Sequence, residues 1–418
     1  MAKVQPVRGT HDLLADDFAG QRAVIDVARR VALTHGYREI ATPIFEFTEV
    51  FARSMGETSD VVSKEMYTFE DRGGESITLR PEYTAAICRA FISNGLQQSV
   101  PFKAFAAGPM FRYERPQKGR LRQFHQIDLE VIGAPEPAAD VEVISAGAEI
   151  LNQLNVLHKT VLHINTLGDP ESRDAYRTAL VDYFGAHRDR LSEDSLARLD
   201  RNPLRILDSK DEGDRALVVD APLFSDYLNQ HSQDFFGDVL AGLDTLGIGY
   251  EIDPRLVRGL DYYTHTAFEF VTDALGAQGA VIAGGRYDGL IEQIGGPPTP
   301  GIGWAGGIER LAMLSGVSTP APRPIVLVPV GEAAEYEASK WAQWLRRKGF
   351  VVELGFKGNV GKRMKRADRI GAACAILLGD DELERDVVNL KDLHTGEQRE
   401  VTVADLEDAL AAYEGSRV

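Results

Sequence analysis

The sequence predicts an α+β protein with a large sheet-containing domain, a helical insertion within that domain, and a C-terminal α/β domain. The chain has 418 residues, which is more than one ordinary hydrophobic core requires. Charged, helix-like sequence at about 165–245 is bounded on both sides by strand-like sequence, as an insertion would be. After a Pro-rich segment, strands and helices alternate as β-α-β-α-β, which is typical of a compact α/β domain. We therefore expect a first domain at 1–316, a linker at 317–324 and a second domain at 325–418.

The N-terminal elements follow from local patterns. Residues 19–35 carry apolar side chains at the spacing of an amphipathic helix, namely Val24, Val27, Ala28 and Val31. Gly36 ends this helix, and YREIATPIFEFTEVF follows as a strand interrupted by Pro43. Pro81 suits the first turn of a second helix, which would place Glu82 and Thr84 at its start.

Two strands, FKAFAAGPMFRYE and FHQIDLEVIG, are predicted to flank a basic loop. Side chains alternate along a strand, so one face of the second strand carries Phe124, Gln126, Asp128 and Glu130, and the other carries His125, Ile127, Leu129 and Val131. Arg112 and Glu114 share a face of the preceding strand. One interpretation is a solvated sheet face. The other is the floor of a site for a phosphate-bearing substrate, because inward charge is costly without a polar ligand.

Two basic segments stand out in an acidic chain, whose formal net charge is −17. The first contains Arg112, Arg115, Lys118, Arg120 and Arg122, and the second runs from Lys357 to Arg369 with Asp368 as its single acid. Most charge runs are solvated helix or loop surfaces. Two such runs in separate domains also suit one long polyanion that is bound at two places. The acidic remainder argues against indiscriminate nucleic-acid binding, so we expect no DNA partner.

Two glycine-containing clusters follow. In RLVRGLDYY the paired tyrosines Tyr262 and Tyr263 are core aromatics or the wall of a pocket beside Arg258. GIGWAGG has the spacing G-x-G-x-x-G, but it follows PPTP and lacks a downstream acid at the required distance, so we reject a dinucleotide site. These glycines instead let a strand and the next helix pack closely, with Glu309 and Arg310 at the helix start.

Composition excludes several protein classes. No apolar run reaches the roughly 18 residues that a membrane span needs, and MAKVQPVRGTHD lacks the apolar core of a secretion signal. Cys88 and Cys374 are far apart in sequence and fit no metal-binding spacing. We therefore expect reduced thiols, a cytoplasmic location and no membrane partner.

Several segments together resemble the histidyl-tRNA synthetases, a family of class II aminoacyl-tRNA synthetases, in family order and over essentially the whole chain. They are RGTHD, YREIATPIFEFTEVF, EMYTFEDRGG, TLRPE, MFRYERPQKGRLRQFHQIDLEVIG, NPLRILDSK, RLVRGLDYY, AGGRYDGL and GIGWAGGIERL. The resemblance implies an antiparallel-sheet class II catalytic domain with a helical insertion, a C-terminal anticodon-binding domain, and a homodimer. It also implies ATP-dependent activation of L-histidine, followed by transfer to the 3′ end of histidine tRNA.

The resemblance assigns roles to individual residues. Arg258 and Arg112 would be catalytic, and the histidine-binding set would be Glu82, Thr84, Gln126, Glu130, Tyr262 and Tyr263. Arg112, Glu114, Phe124 and Arg310 would bind ATP, with Mg²⁺ held mainly by the ATP phosphates. The RNA-binding set would be Arg115, Gln117, Lys118, Arg120, Arg122, Lys362, Arg363, Lys365 and Arg366.

Elementary chemistry supports the histidine assignment. Imidazole has two distinct nitrogens, so a carboxylate such as Glu130 and a phenol such as Tyr263 can bind both. Tyr83 departs from the glycine that is common at its position in the family, and Asp128 is an additional acid without an assigned role. Two alternatives share the fold: a non-catalytic regulatory paralogue of histidine biosynthesis, and an RNA-binding domain without chemistry. The paralogue usually lacks the anticodon-binding domain and an intact RGLDYY, and this chain has both.

Overall fold

A computed structural model describes residues 3–417, apart from residues 57–58, 60, 118, 208, 258–261, 276–278 and 318–320 and the side chain of residue 414. The chain divides into two compact units, Met1–Thr319 and Pro320–Val418. This division lies within the predicted linker 317–324. Within the described ranges, no helix is long and apolar enough to cross a membrane.

The first unit combines strands and helices along its whole length. Its strands are β1 (Arg38–Glu39), β2 (Phe45–Phe47), β3 (Tyr67–Glu70), β4 (Ser76–Leu79), β5 (Phe102–Phe111), β6 (Gln123–Ile132), β7 (Val161–Thr166), β8 (Glu251–Ile252), β9 (Thr264–Val271), β10 (Ala280–Arg286) and β11 (Gly301–Gly307). Its helices are α1 (Ala15–Thr34), α2 (Thr48–Met55), α3 (Thr84–Ser93), α4 (Pro137–Gln153), α5 (Pro170–Gly185), α6 (Glu193–Leu199), α7 (Glu212–Val218), α8 (Gln230–Thr245), α9 (Leu290–Gln293) and α10 (Ile308–Ser315).

The main sheet has the strand order β1-β5-β6-β11-β10-β9-β7-β8 among the residues that the structure describes. The six inner strands pair antiparallel with one another in the order β5, β6, β11, β10, β9 and β7. At the two edges, β1 pairs parallel with β5 and β8 pairs parallel with β7. The prediction of an antiparallel sheet domain is therefore confirmed. The predicted strand pair around the basic loop is β5 and β6, and their register aligns Gly108 with Gln126 and Ala106 with Asp128.

The two faces of this sheet bury different sets of residues. One face packs α1, α4 and α8 against apolar side chains that include Ile127, Leu129 and Val131, as the alternation along β6 predicts. The other face carries Ala104, Ala106 and four buried tyrosines, together with α3. Because the first face is filled by apolar side chains, the polar side chains of β6 point to the second face.

Two predicted helix boundaries differ from the observed ones. Helix α1 begins at Ala15 rather than residue 19, and it buries Val24, Ala28 and Val31 as predicted. The prediction that Pro81 lies in the first turn of α3 is wrong, because α3 begins at Thr84. Pro81 and Glu82 therefore precede the helix.

The helical insertion has its own hydrophobic cluster. It is formed by α5, α6, α7 and the turns around them, with Tyr176, Phe184 and Phe224 among its buried side chains. The expected range of 165–245 also includes α8, but Phe235, Val239 and Leu243 of α8 pack into the core of the main sheet. Residues 170–228 thus carry the separate cluster.

A second, three-stranded antiparallel sheet has the order β2-β4-β3. Its register aligns Phe47 with Ile77 and Phe69 with Ile77, so these side chains share one face. Phe45, Phe47 and Phe69 are each about half exposed on that face, at 55%, 54% and 49%. The sheet therefore presents an apolar surface in the single chain.

The second unit is the predicted α/β domain. It contains β12 (Ile325–Val330), α11 (Glu332–Arg347), β13 (Val352–Leu354), α12 (Val360–Arg369), β14 (Cys374–Gly379), α13 (Asp380–Glu384), β15 (Val387–Asp392), β16 (Gln398–Thr402) and α14 (Leu406–Leu410). Strands β13, β12 and β14 are parallel, and β15 and β16 extend the sheet antiparallel. The apolar residues of α11 and of α12 belong to separate buried clusters on the two faces of this sheet.

Candidate active site

A cavity of about 540 Å³ opens on the face of the main sheet that carries the polar side chains of β6. Ten residues that the sequence assigned to substrate or RNA line it: Glu82, Thr84, Arg112, Glu114, Arg120, Phe124, Gln126, Tyr262, Tyr263 and Arg310. Glu130 lies on the same face of β6 and is fully buried. Arg258 lies outside the described residues. The structure thus brings together side chains that are far apart in the sequence.

Small residues on the strands beside β6 make room for its polar side chains. Ala106 of β5 and Ala305 of β11 flank Asp128, and Gly303 of β11 is aligned with Glu130. A Cβ atom built at Gly303 would collide with the Glu130 carboxylate. Gly303 of GIGWAGG therefore leaves room for the Glu130 side chain of the neighbouring strand β6, and this geometry gives no support to the rejected dinucleotide site.

Glu130 accepts hydrogen bonds at both carboxylate oxygens. The Thr84 hydroxyl donates to Oε1 at 2.6 Å, and the Tyr287 hydroxyl donates to Oε2. Burial raises the pKa of Glu130 to about 8, although both hydroxyl donors act in the opposite direction. A carboxyl group with this pKa exchanges a proton close to neutral pH.

Tyr287 is a site residue that the sequence analysis missed. It follows strand β10 within AGGRYDGL, a segment that the sequence analysis named only for its resemblance to the family. The adjacent Arg286 is fully buried and donates to Asp140 from Nε at 3.0 Å, which fixes the end of β10 against α4. Because Tyr287 is 157 positions away from Glu130, only the fold shows that the two are paired.

Glu82 lies just before α3 and Thr84 is its first residue, and both are next to Glu130. The Glu82 carboxylate is fully buried and accepts a hydrogen bond from the Ala85 amide at 2.9 Å, as a helix-capping group does. Burial raises the pKa of Glu82. Thr84 was assigned to the histidine-binding set, and in this structure its hydroxyl donates to Glu130.

Tyr262 and Tyr263 are both buried, and their ring centroids are 4.5 Å apart. Tyr262 also contacts Tyr287 at a centroid distance of 5.9 Å. Both interpretations of the tyrosine pair hold, because the rings belong to a hydrophobic cluster and also line the cavity. Arg173 of the insertion donates to the backbone carbonyl of Tyr263 at 2.8 Å, which links the insertion to this wall.

The opposite part of the cavity is rich in guanidinium groups. Arg112 donates from Nε to the Pro81 carbonyl at 2.9 Å, and its guanidinium lies 5.3 Å from the Phe124 ring centroid. Arg310 donates from Nε to the Gly119 carbonyl at 3.3 Å. Burial lowers the pKa of Arg310, and the nearby charge of Arg120 lowers it further. Neighbouring cations of this kind suit a polyphosphate.

The basic loop between β5 and β6 has some exposed side chains and others that contact neighbouring residues of the loop. Arg115 and Gln117 are exposed, and Lys118 lies outside the described residues. Arg120 forms an ion pair with Glu114. Arg122 lies 3.9 Å from the Tyr113 ring centroid and donates to the Glu114 carbonyl at 3.2 Å. Arg120 and Arg122 therefore also hold the loop itself together.

The N-terminal segment contacts the end of this loop. The amides of Arg122 and Gln123 donate to the Gly9 carbonyl at 2.8 and 3.5 Å. Gly9 has a φ of +87°, and a Cβ at this position would lie 2.8 Å from the Arg122 side chain. The RGTHD segment thus positions the loop, which the sequence did not reveal.

In helix α12 of the second unit, the four predicted RNA-binding side chains differ in exposure. Lys362 and Lys365 are exposed. Arg363 is only 4% exposed and donates to the Pro329 carbonyl at 3.0 Å and to Glu335 at 2.6 Å. Arg366 pairs with Glu353 at 2.8 Å. A buried and paired guanidinium is not available to RNA, so Arg363 leaves the predicted RNA-binding set as a correction.

Comparisons with known proteins agree with this geometry. The family model described as histidyl-tRNA synthetase matches residues 9–311, and the one described as anticodon binding domain matches residues 324–413. The chain is 61% identical over 414 residues to the histidine–tRNA ligase of Rhodospirillum rubrum, covering 99% of this chain and 100% of the relative. It is 57% identical to that of Gluconacetobacter diazotrophicus, with 99% and 100% covered.

Solved structures give the same result. The crystal structure of apo histidyl-tRNA synthetase from S. aureus matches with a TM-score of 0.83 and 37% sequence identity, covering 97% of this chain and 99% of that one. Histidyl-tRNA synthetase from Nostoc matches with a TM-score of 0.67 at 23% identity, which supports the fold alone.

Proposed function

Since the chain belongs to the histidyl-tRNA synthetase family, we propose that it is a histidine–tRNA ligase. In the first step, the carboxylate of L-histidine attacks the α-phosphate of ATP, which yields histidyl-adenylate and releases pyrophosphate. In the second step, a hydroxyl at the 3′ end of histidine tRNA attacks the adenylate carbonyl, and AMP leaves. The observation that carries this proposal is one cavity lined by guanidinium groups and by Glu82 and Tyr263, with the buried carboxyl group of Glu130 on the same face of the sheet.

Glu130 and Tyr263 would bind the two nitrogens of the imidazole. Glu130 is held by Thr84 and Tyr287, so its orientation is fixed before the substrate arrives. An amino acid without these nitrogens would leave buried polar groups unpaired. Such a penalty can reach roughly 10⁴ to 10⁵ in discrimination without an editing site.

ATP would occupy the guanidinium-rich part of the cavity as its magnesium complex. Phe124 would stack on adenine, Glu114 would contact the adenine edge, and Arg112 and Arg310 would pair with phosphate oxygens. Arg258 would neutralise the α-phosphate as charge develops there. Across the described ranges, no group of three or more His, Cys, Asp or Glu side chains is arranged for a metal ion, so Mg²⁺ would be held mainly by the phosphates themselves.

The tRNA would meet both units. Arg115 and Gln117 are exposed on the loop beside the cavity, where the acceptor end would enter, and Lys118 belongs to the same loop. Lys362 and Lys365 are exposed on α12, in the unit that matches the anticodon binding domain. RNA recognition favours single-stranded ends and loops, which agrees with one basic segment in each unit.

The chain would act as a homodimer in the cytoplasm. The apolar face of the sheet β2-β4-β3 exposes Phe45, Phe47 and Phe69, and β2 lies in the YREIATPIFEFTEVF segment that packs across the two-fold interface in class II synthetases. Exposed apolar patches of this kind mark protein interfaces. Cys88 and Cys374 are buried free thiols, in agreement with a reducing compartment.

The test is histidine-dependent exchange of pyrophosphate into ATP, together with charging of histidine tRNA. We expect both activities in the wild type, and Arg258→Ala should lower the exchange rate at least about 100-fold with a modest change in histidine affinity. Arg53→Ala is the matched control, because Arg53 is exposed and pairs with Glu49 at the surface. A wild type without exchange would instead indicate the regulatory paralogue or a pure RNA-binding domain, and unchanged turnover in Arg258→Ala would remove its catalytic role.

A further inference from the structure

Lys210 belongs to the helical insertion, yet it lines the same cavity as the predicted ATP-binding residues. It is the one residue of the insertion among the described residues of that lining. It lies in the segment NPLRILDSK, between the turn Pro203–Ile206 and helix α7, and it is exposed. It also borders a smaller cavity of about 410 Å³ within the insertion, together with Arg215. The insertion therefore contributes an ammonium group to the catalytic cavity.

The backbone on both sides of Lys210 is held by the insertion. The Ser209 hydroxyl donates to Asp214 Oδ2 at 2.6 Å, and the fully buried Asp214 carboxylate also accepts hydrogen bonds from two other serine hydroxyls at 2.6 and 2.7 Å. On the other side, Asp211 caps α7 by accepting from two backbone amides at 2.8 and 3.1 Å. Both neighbours of Lys210 in the chain are thus fixed, so its side chain starts from a defined position.

The ammonium group of Lys210 has no hydrogen-bond or ion-pair partner among the residues that the structure describes. In contrast, three arginines of the lining each use a donor on a protein acceptor, namely Arg112, Arg120 and Arg310. A primary ammonium group has three N–H donors and no acceptor. The ligand that Lys210 can bind in this cavity is therefore an anion.

Exposure indicates which part of the cavity Lys210 serves. Glu82 and Glu130, in the part assigned to the amino acid, are buried. Lys210 is exposed, and the side chain of Arg120 in the guanidinium-rich part is 39% exposed. Lys210 thus shares the solvent side of the cavity with the cations that were assigned to phosphate groups.

We propose that Lys210 binds the polyphosphate of ATP, and pyrophosphate in the reverse direction, so that the insertion takes part in the activation step. A lysine binds phosphate as a point charge, which adds to the bidentate contacts of the arginines. Ser209 and Asp214 are positioning residues, because they act through the backbone of Lys210. The inference rests on the proposed function and extends it to a residue of the insertion.

The test is the exchange of pyrophosphate into ATP by the full-length protein, with ATP, pyrophosphate and histidine varied in turn. This reaction needs no tRNA, so RNA phosphates do not contribute to it. In Lys210→Met we expect the KM values for ATP and pyrophosphate to rise at least about tenfold, because a charge-assisted hydrogen bond is lost. The KM for histidine should stay within about twofold of the wild type. Lys210→Arg keeps the charge and should recover most of the loss.

Arg215→Met is the charge-matched control. Arg215 is exposed on the same insertion and borders the smaller cavity with Lys210, but it is not among the described residues that line the catalytic cavity. We expect wild-type KM values in this variant. An equal rise in Arg215→Met and Lys210→Met would mean that the overall charge of the insertion acts on ATP, and it would overturn the contact with Lys210.

Two serine variants test the positioning role. Ser209→Ala and Ser195→Ala each remove one hydroxyl donor at 2.6 Å from Asp214, and Ser209 alone is adjacent to Lys210. We expect the KM for ATP to rise about threefold in Ser209→Ala, as for the loss of one neutral hydrogen bond, and to be unchanged in Ser195→Ala. Equal effects would show that these hydrogen bonds serve only the fold of the insertion.

Three results for Lys210→Met would overturn the inference. They are unchanged exchange kinetics, a rise in the KM for histidine in place of those for ATP and pyrophosphate, and a defect confined to the charging of tRNA, which would assign Lys210 to the acceptor end. In each case the wild type would still catalyse exchange, so the proposed function would stand. A wild type without exchange would overturn the proposed function as well.

Discussion

At the scale of single residues, the main feature of the site is that burial raises the pKa values of its carboxyl groups. Glu130 is fully buried and has two hydroxyl donors, yet burial dominates and raises its pKa to about 8. The strand alternation in the sequence placed Glu130 on the correct face. It did not reveal that Tyr287 and Thr84 hold the carboxyl group in one orientation, as recognition of an imidazole requires.

The variant Glu130→Gln tests whether burial outweighs the two hydroxyl donors in setting the pKa of this residue. The native state retains a proton on Glu130 that the unfolded chain releases at its ordinary pKa near 4.5, so the residue makes the free energy of unfolding fall as pH rises from about 4.5 to 8. The fall from one such group is at most about 1.4 kcal/mol per pH unit. We expect the melting temperature of Glu130→Gln to decrease less between pH 5 and 8 than that of the wild type.

Thermal unfolding at four pH values within this range measures the difference. The exposed Glu75 gives the control variant Glu75→Gln, whose melting curve should shift with pH as the wild type does. Parallel pH dependence of Glu130→Gln and the wild type would show that Glu130 ionises normally in the native protein.

At the scale of elements, the features that could be predicted were those that depend on the periodicity of side chains along one strand or helix. The alternation along β6 and the apolar stripe of α1 have periods of 2 and 3.6, so neighbouring residues determine which side chains share a face. The same reasoning failed for Arg363, which looked like one more cation of a solvated helix. Its contacts with Pro329 and Glu335 are 34 and 28 positions away, and a periodic pattern does not encode them.

The second prediction concerns the sheet β2-β4-β3. Its exposed phenylalanines Phe45 and Phe47 lie on one apolar face, and burying them against a second copy would remove that surface from water. We expect the wild type to be a dimer and the double variant Phe45→Asp, Phe47→Asp to be a monomer, because buried unpaired carboxylates oppose association.

Sedimentation velocity at micromolar concentration measures this. Tyr336→Asp is the control, since Tyr336 is a 71% exposed aromatic residue of α11 in the other unit, and it should remain dimeric. A monomeric wild type, or a double variant that still sediments as a dimer, would assign the interface to another surface.

At the scale of the whole molecule, the chain keeps an acidic surface with basic segments in two separate units. The formal net charge of −17 disfavours polyanions in general, whereas association with a particular polyanion follows the local field. Of the four cations of α12 that were assigned to RNA, Lys362 and Lys365 are exposed, whereas Arg363 is buried and Arg366 is paired with Glu353. The prediction for this segment is therefore best tested at the two lysines.

Lys362→Glu combined with Lys365→Glu should therefore weaken tRNA binding by about tenfold or more and leave histidine-dependent pyrophosphate exchange unchanged. Each lost phosphate contact lowers the slope of the logarithm of affinity against the logarithm of salt concentration by about 0.7 to 0.9. Binding measured across a salt series should thus show a slope that is smaller by about 1.5. The charge-matched control combines Lys340→Glu on α11 with Lys348→Glu directly after that helix, which packs on the other face of the β12–β16 sheet. Equal weakening by both pairs would mean that overall charge, rather than the surface of α12, governs RNA binding, and a loss of exchange would mean that α12 also supports the activation step.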